Sequence, residues 1–203
     1  MVIKIKTIGI IIREFKENNI EFIGTRYDLF NSLYQFNVNL IGIPINIDYN
    51  KLIESVNLCD GIILSGGENF HENDFKLIKY LVEKNIPTLG ICLGMQSMAE
   101  YFNNRREIVV TNHYSTNKYV HKIKIKRGSK LYKILNKDEI LVNSRHHTAI
   151  PYTSMVVSAK SEDNIIEAVE LSNLNFFIGL EWHPESINDN NSYLIFKSFI
   201  NKL

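Results

Sequence analysis

The chain has 203 residues, 45% of them hydrophobic and 22% charged, with a formal net charge of +1. It is long enough to bury a sizeable core, and the near-neutral balance removes any general electrostatic case for a nucleic-acid or membrane partner. Two cysteines cannot staple a disulfide framework, so a reducing, cytoplasmic setting is expected.

Charge and apolar residues interleave over residues 1–6, where neither a signal peptide nor a membrane span is expected. Residues 7–12 read as a first strand. Residues 27–36 carry Leu29, Phe30, Leu33 and Tyr34 at helical spacing, and residues 39–45 read as a second strand. A short helix over 49–58 leads to a buried strand, Gly61-Ile62-Ile63-Leu64, which stops at Ser65-Gly66-Gly67. Residues 73–84 form an amphipathic helix with Phe75, Leu77, Ile78, Leu81 and Val82 turned inward. Cys59, just ahead of the buried strand, reads as inert packing.

An apolar run from Ile86 then enters Gly90-Ile91-Cys92-Leu93-Gly94, and residues 95–102 read as a helix. G-x-C-x-G between a strand and a helix is the cysteine form of a nucleophile elbow: the sharp turn lifts the side chain above the sheet, and the glycines let strand and helix approach. A thiol at a helix N-terminus also meets positive partial charge, which favours the reactive thiolate. Acyl transfer needs two N–H donors aimed at the developing oxyanion. The N–H of Leu93 is one candidate and the Gly66-Gly67 backbone the other.

After Asn103 the texture changes to successive strand-like stretches at 108–111, 119–126, 140–143, 154–159, 165–171 and 175–181, closed by a helix over 192–203. A run of cations from Lys118 to Lys137 contains no acidic residue and reads either as a solvated face or as a basic rim for an anionic leaving group. The last strand ends in Trp182-His183-Pro184-Glu185, which supplies a base for a cysteine nucleophile and a carboxylate to fix its tautomer. No metal site and no cofactor are expected, because no further His, Cys or acidic residue stands at ligand spacing from His146 and His147. The alternation of strands and helices predicts one α/β domain over residues 1–203, with a doubly wound, mostly parallel sheet between helices and extra, partly antiparallel strands in the second half.

Three segments carry a family resemblance. Residues 60–67 (Asp-Gly-Ile-Ile-Leu-Ser-Gly-Gly), 90–96 (Gly-Ile-Cys-Leu-Gly-Met-Gln) and 182–185 (Trp-His-Pro-Glu) resemble the signatures of class I glutamine amidotransferase domains, in the family's order and over nearly the whole chain. Within that superfamily, residues 121–125, 142–150 (Val-Asn-Ser-Arg-His-His-Thr-Ala-Ile) and 165–170 resemble the γ-glutamyl hydrolase branch, peptidase C26, whose members include hydrolases of γ-glutamyl-γ-aminobutyrate. The resemblance implies a flavodoxin-like fold and cysteine-dependent hydrolysis of a γ-glutamyl amide through a γ-glutamyl thioester. Cys92 would be the nucleophile, His183 the base and acid, and Glu185 its orienting carboxylate, with Gly67 and Leu93 forming the oxyanion hole. Gly66, Gln96, Ser144, Arg145 and His146 would bind the substrate; His146 and His147 also read as hydrogen-bonded structural histidines. The alternative implied is a glutaminase subunit that supplies ammonia to a partner synthase. Three departures from the branch fall near the mouth of the site: a short loop over 68–72, Leu93 where many bacterial members have arginine, and a trimmed segment over 103–106.

Overall fold

The computed structural model describes residues 5–103 and 108–203, so positions 104–106 of the trimmed segment lie outside the described residues. The elements run β1 (Lys6–Glu17), β2 (Ile20–Gly24), α1 (Tyr27–Leu33), β3 (Val38–Pro44), α2 (Tyr49–Val56), β4 (Gly61–Leu64), α3 (Glu72–Glu83), β5 (Thr88–Ile91) and α4 (Leu93–Tyr101). Then follow β6 (Ile108–Val109), β7 (His121–Ile125), α5 (Lys130–Leu135), β8 (Glu139–Val142), β9 (Thr148–Ala149), β10 (Val156–Ser161), β11 (Ile166–Glu170), β12 (Phe177–Leu180), α6 (Pro184–Ile187) and α7 (Asn190–Ile200).

Parallel pairing joins β3-β1-β4-β5-β12, and antiparallel pairing continues the same sheet through β11-β10-β7-β8. This is the mixed α/β sheet that the sequence predicts. Its central strands are buried along their whole length, as in β4 (Gly-Ile-Ile-Leu) and β12 (Phe-Ile-Gly-Leu), because helices cover both faces. Alternation divides the core between those faces. Ile8, Ile10, Ile63 and Leu89 pack with Leu29 and Leu33 of α1 and Phe196 and Phe199 of α7. Ile11, Ile62 and Leu64 pack with Leu77, Ile78 and Leu81 of α3 and Met95 and Met98 of α4.

Two features frame the site. The chain runs from β1 outward to β3 and then back to β4 on the other side of β1, so the strand order reverses there. At such a switch point the carboxyl ends of parallel strands open a crevice. Beside it, β1 overruns the sheet and turns back as an antiparallel hairpin with β2. The two-residue turn, Asn18-Asn19, has φ of 49° and 64°, the left-handed pair that matches strand twist in a tight hairpin. Among the described residues no helix is long and apolar enough to cross a membrane.

Candidate active site

Three strand ends converge in the crevice. β5 delivers Cys92, which sits at φ 51°, ψ −113° immediately before α4. That conformation is costly for a residue with a Cβ and persists only where the surroundings fix it. Here the Cys92 N–H donates to the Leu180 carbonyl (2.8 Å), and the Cys92 carbonyl accepts from the Gln96 N–H (3.0 Å). The tight turn needs Gly94, where a Cβ would lie 2.2 Å from the Leu64 carbonyl oxygen of the neighbouring strand.

β12 delivers His183, whose main chain is clamped on both sides by the side-chain amide of Asn143: the His183 N–H donates to Oδ1 and Nδ2 donates to the His183 carbonyl, each at 2.8 Å. His183 Nδ1 lies 2.6 Å from Glu185 Oε1. A carboxylate can only accept, so Nδ1 carries the proton and the other ring nitrogen faces the Cys92 side chain, with which His183 also hydrogen-bonds. Burial alone would lower the His183 pKa, but the Glu185 carboxylate and the Cys92 sulfur outweigh it and push the value up to about 10. The ring is therefore held as an imidazolium at neutral pH, a proton donor poised beside a sulfur.

β4 delivers Gly66 and Gly67. A Cβ on Gly66 would lie 3.0 Å from His183 Cε1 and 3.5 Å from Cys92 Cβ, so any side chain there would crowd both residues. One on Gly67 would meet Arg13 Cδ at 2.5 Å and Leu93 Cδ2 at 3.1 Å, which puts the two predicted oxyanion-hole residues side by side. Arg13, unremarked in the sequence, secures this loop. It is 4% exposed, its guanidinium pairs twice with Asp74 (2.9 and 2.6 Å), and its Nε donates to the Ser65 carbonyl.

A cavity of about 480 Å³ opens over Cys92 and His183, with a volume typical of small-molecule sites. Phe15, Thr25 and Arg26 of the hairpin side form one wall, and Tyr114 and Arg145 form another. Arg145 donates to Ser186 Oγ (2.8 Å), Ser186 donates to Asp28, and Arg26 pairs with Asp28 (2.9 Å), so the two arginines share one acidic anchor.

Of the five predicted substrate-binding residues, Gly66 and Arg145 line this cavity, whereas Gln96, Ser144 and His146 do not. Gln96 is buried behind the elbow, where its amide donates to Glu181 Oε1 (2.5 Å) and the Thr148 carbonyl (3.0 Å). Burial alternates over 144–146: Arg145 lines the cavity, whereas the side chains of Ser144 and His146 are buried in the protein. The cationic run from Lys118 to Lys137 is not a rim of the cavity either. It lies around β7 and α5, and its charges meet local partners: Lys122 pairs with Glu139 and Arg127 with Asp138.

Outside the cavity lining, next in sequence to Tyr114 and Arg145, the fold assembles a polar cluster that linear spacing does not show. His113, His121, His146 and Glu167 come together there from four separate segments. Burial pushes the His146 pKa down to about 4, so this ring is neutral at pH 7.

The family model for glutamine amidotransferase class-I matches residues 20–202. A glutamine amidotransferase-like protein of Rickettsia prowazekii is 29% identical over 78% of this chain and 83% of its own length. The CTP synthase of Nautilia profundicola is 30% identical over 70% of this chain but only 34% of its own, so the chain spans about a third of that enzyme. Among solved structures, a GMP synthase component from Thermoplasma acidophilum superposes with a TM-score of 0.74 at 22% identity, covering 99% of this chain and 95% of that one. The chain belongs to the class-I glutamine amidotransferases.

Proposed function

We propose that the chain hydrolyses a γ-glutamyl amide by covalent catalysis at Cys92. The sulfur attacks the γ-carbonyl carbon, and the electron pair of the C=O bond moves onto oxygen within reach of the Gly67 and Leu93 N–H groups. Collapse of this adduct breaks the C–N bond as His183 gives its proton to the departing amine. A γ-glutamyl thioester is left. Water, losing its proton to His183, then attacks the same carbon, and glutamate departs as the Cys92 sulfur takes back its electron pair. Glu185 holds the ring and compensates its charge throughout. The observation that carries this reading is the buried His183 ring, bonded on one side to Glu185 and on the other to the cysteine of a strained elbow.

The leaving amine in this reading is larger than ammonia. The roughly 480 Å³ cavity extends beyond the reacting groups to Arg26 and Arg145, cations suited to an anionic leaving group. A second reading, glutamine hydrolysis feeding ammonia to a separate synthase, is favoured by the 30% identity to a CTP synthase. Steady-state assay of the isolated chain on glutamine beside a panel of γ-glutamyl amides separates them. The proposal expects a larger amide, best an anionic one, to have the highest kcat/KM. Glutamine turned over fastest, or only after a synthase is added, would establish the second reading instead.

A further inference from the structure

His113, His121, His146 and Glu167 meet outside the lining of the cavity over Cys92, and no step of the reaction proposed above uses them. His113 Nδ1 lies 3.2 Å from His146 Nε2 and 3.7 Å from Glu167 Oε1, and His121 Nε2 lies 2.9 Å from the same oxygen. The facing atoms of His113, His121 and Glu167 all fall within 4.8 Å of one another. Zinc–nitrogen bonds of 2.0–2.1 Å at tetrahedral angles put neighbouring ligand atoms ~3.3 Å apart, the scale of these separations.

The hydrogen bonds on the outer sides of the rings decide what the inner atoms offer. His146 Nδ1 is 2.8 Å from the Thr148 carbonyl oxygen, which can only accept, so Nδ1 carries a proton and Nε2 is the atom turned toward His113. His113 Nε2 is 2.9 Å from the Asp163 carboxylate, which likewise places a proton on that nitrogen and leaves Nδ1 as the atom facing His146 and Glu167. Two ring nitrogens facing each other at 3.2 Å need a cation, a proton or a metal ion, between them. Glu167, fully buried, adds a carboxylate whose Oε2 accepts no hydrogen bond from any described residue. A carboxylate or carbonyl bound to the far nitrogen of a ligating histidine is also the usual outer support of a metal site.

We propose that His113, His121, His146 and Glu167 bind one divalent transition-metal ion, zinc by the nature of the donors. Four protein ligands leave no open position, which makes the ion structural and not a Lewis acid for the reaction. Access is from the His121 and Asp163 side, where the side chains are 17% and 59% exposed. The ion would tie the segment ending at His113 to the one holding His146, and so fix Tyr114 and Arg145, which stand next to those two ligands in sequence and line the cavity.

The test is zinc titration of the chelator-treated full chain against a competing chromophoric chelator, with cobalt substitution as a second measurement. It is run on the wild type and on Cys92→Ser, which removes the catalytic thiol as a ligand. One equivalent of zinc should bind in both, with a rise in Tm. Cobalt should give the intense visible bands of a tetrahedral ion without thiolate charge transfer. Glu167→Gln and His121→Asn, checked by circular dichroism for folding, should abolish stoichiometric binding. Asp163→Asn, at an exposed position, should weaken it about 10–100-fold. Zinc that fails to bind the wild type stoichiometrically overturns the proposal. So does zinc lost in Cys92→Ser, or zinc retained unchanged in folded Glu167→Gln.

Discussion

Cys92 occupies a left-handed backbone conformation that costs roughly 1–3 kcal/mol for a non-glycine residue. Such a position is retained where the side chain must stand clear of the sheet, and it separates this cysteine from Cys59. Burial pushes the Cys59 thiol up to about 11, which makes it a poor nucleophile at neutral pH. Cys92→Ala should therefore lose at least about 10³-fold in kcat with the fold intact, and Cys59→Ala should stay within about twofold of wild type in the same assay. The neighbouring histidine makes a prediction about stability. Its pKa rises from 6.5 in the unfolded chain to about 10 in the folded one, so between those values the folded state holds the extra proton. Its contribution is fully present below pH 6.5 and is lost as pH rises through 10. Chemical denaturation from pH 6.5 to 10 should show falling stability with a shallower slope in Glu185→Gln, which removes the carboxylate that raises the pKa.

At the scale of elements, the loop between β4 and α3 depends on a pair drawn from elsewhere, Arg13 in the second half of β1 and Asp74 in the first turn of α3. Both side chains are at most 5% exposed. Breaking such a pair strands a buried charge, so Arg13→Met should cost about 3–5 kcal/mol in urea denaturation, and Arg13→Met combined with Asp74→Leu should recover much of it. Gly94→Ala would force a methyl group to within 2.2 Å of the Leu64 carbonyl oxygen, so β4 and α4 must part. A loss of about 1–3 kcal/mol in the same measurement is expected. The elements that sequence made legible are those with a strong local period: β4, β5 and β12 as continuous apolar runs, and α3 as an amphipathic helix. Those it missed are held by something other than periodicity. β2 exists because Asn18 and Asn19 both accept positive φ, and the pair Asn-Asn is a weaker hairpin signal than Asn-Gly. α5 is six residues long and starts at Ser129, whose side chain caps the Tyr132 N–H, but it lay hidden inside the cationic run. The strand expected over 108–111 shrinks to β6, which pairs only with β9 in a separate small sheet.

Across the whole molecule, the legible part of the site was the part drawn from contiguous motifs: the elbow, the glycine pair and the His-Pro-Glu turn. What was not legible depends on which strands the sheet brings together. Gln96 looks free to reach substrate from one turn past Cys92, yet α4 packs that face against Glu181 and the Thr148 carbonyl. Arg13 and the histidine cluster were invisible for the converse reason, since their partners are 61 residues away for Asp74 and 46 for the His121–Glu167 pair. The same long-range assembly sets the cavity wall, where Arg26 and Arg145 converge on Asp28. If those arginines receive an anionic leaving group, Arg145→Ala should raise KM for an anionic γ-glutamyl amide about tenfold while leaving KM for glutamine within about twofold.

In the proposed reaction Cys92 carries the γ-glutamyl group between two half-reactions. The most direct measurement is acid quenching of the chain during steady-state turnover of a γ-glutamyl amide, followed by proteolysis and mass spectrometry of the peptides. A γ-glutamyl adduct on the peptide containing Cys92, absent in Cys92→Ala and formed and lost at rates that account for turnover, is the predicted result. Turnover without any adduct on that peptide, or an active Cys92→Ala chain, would contradict it.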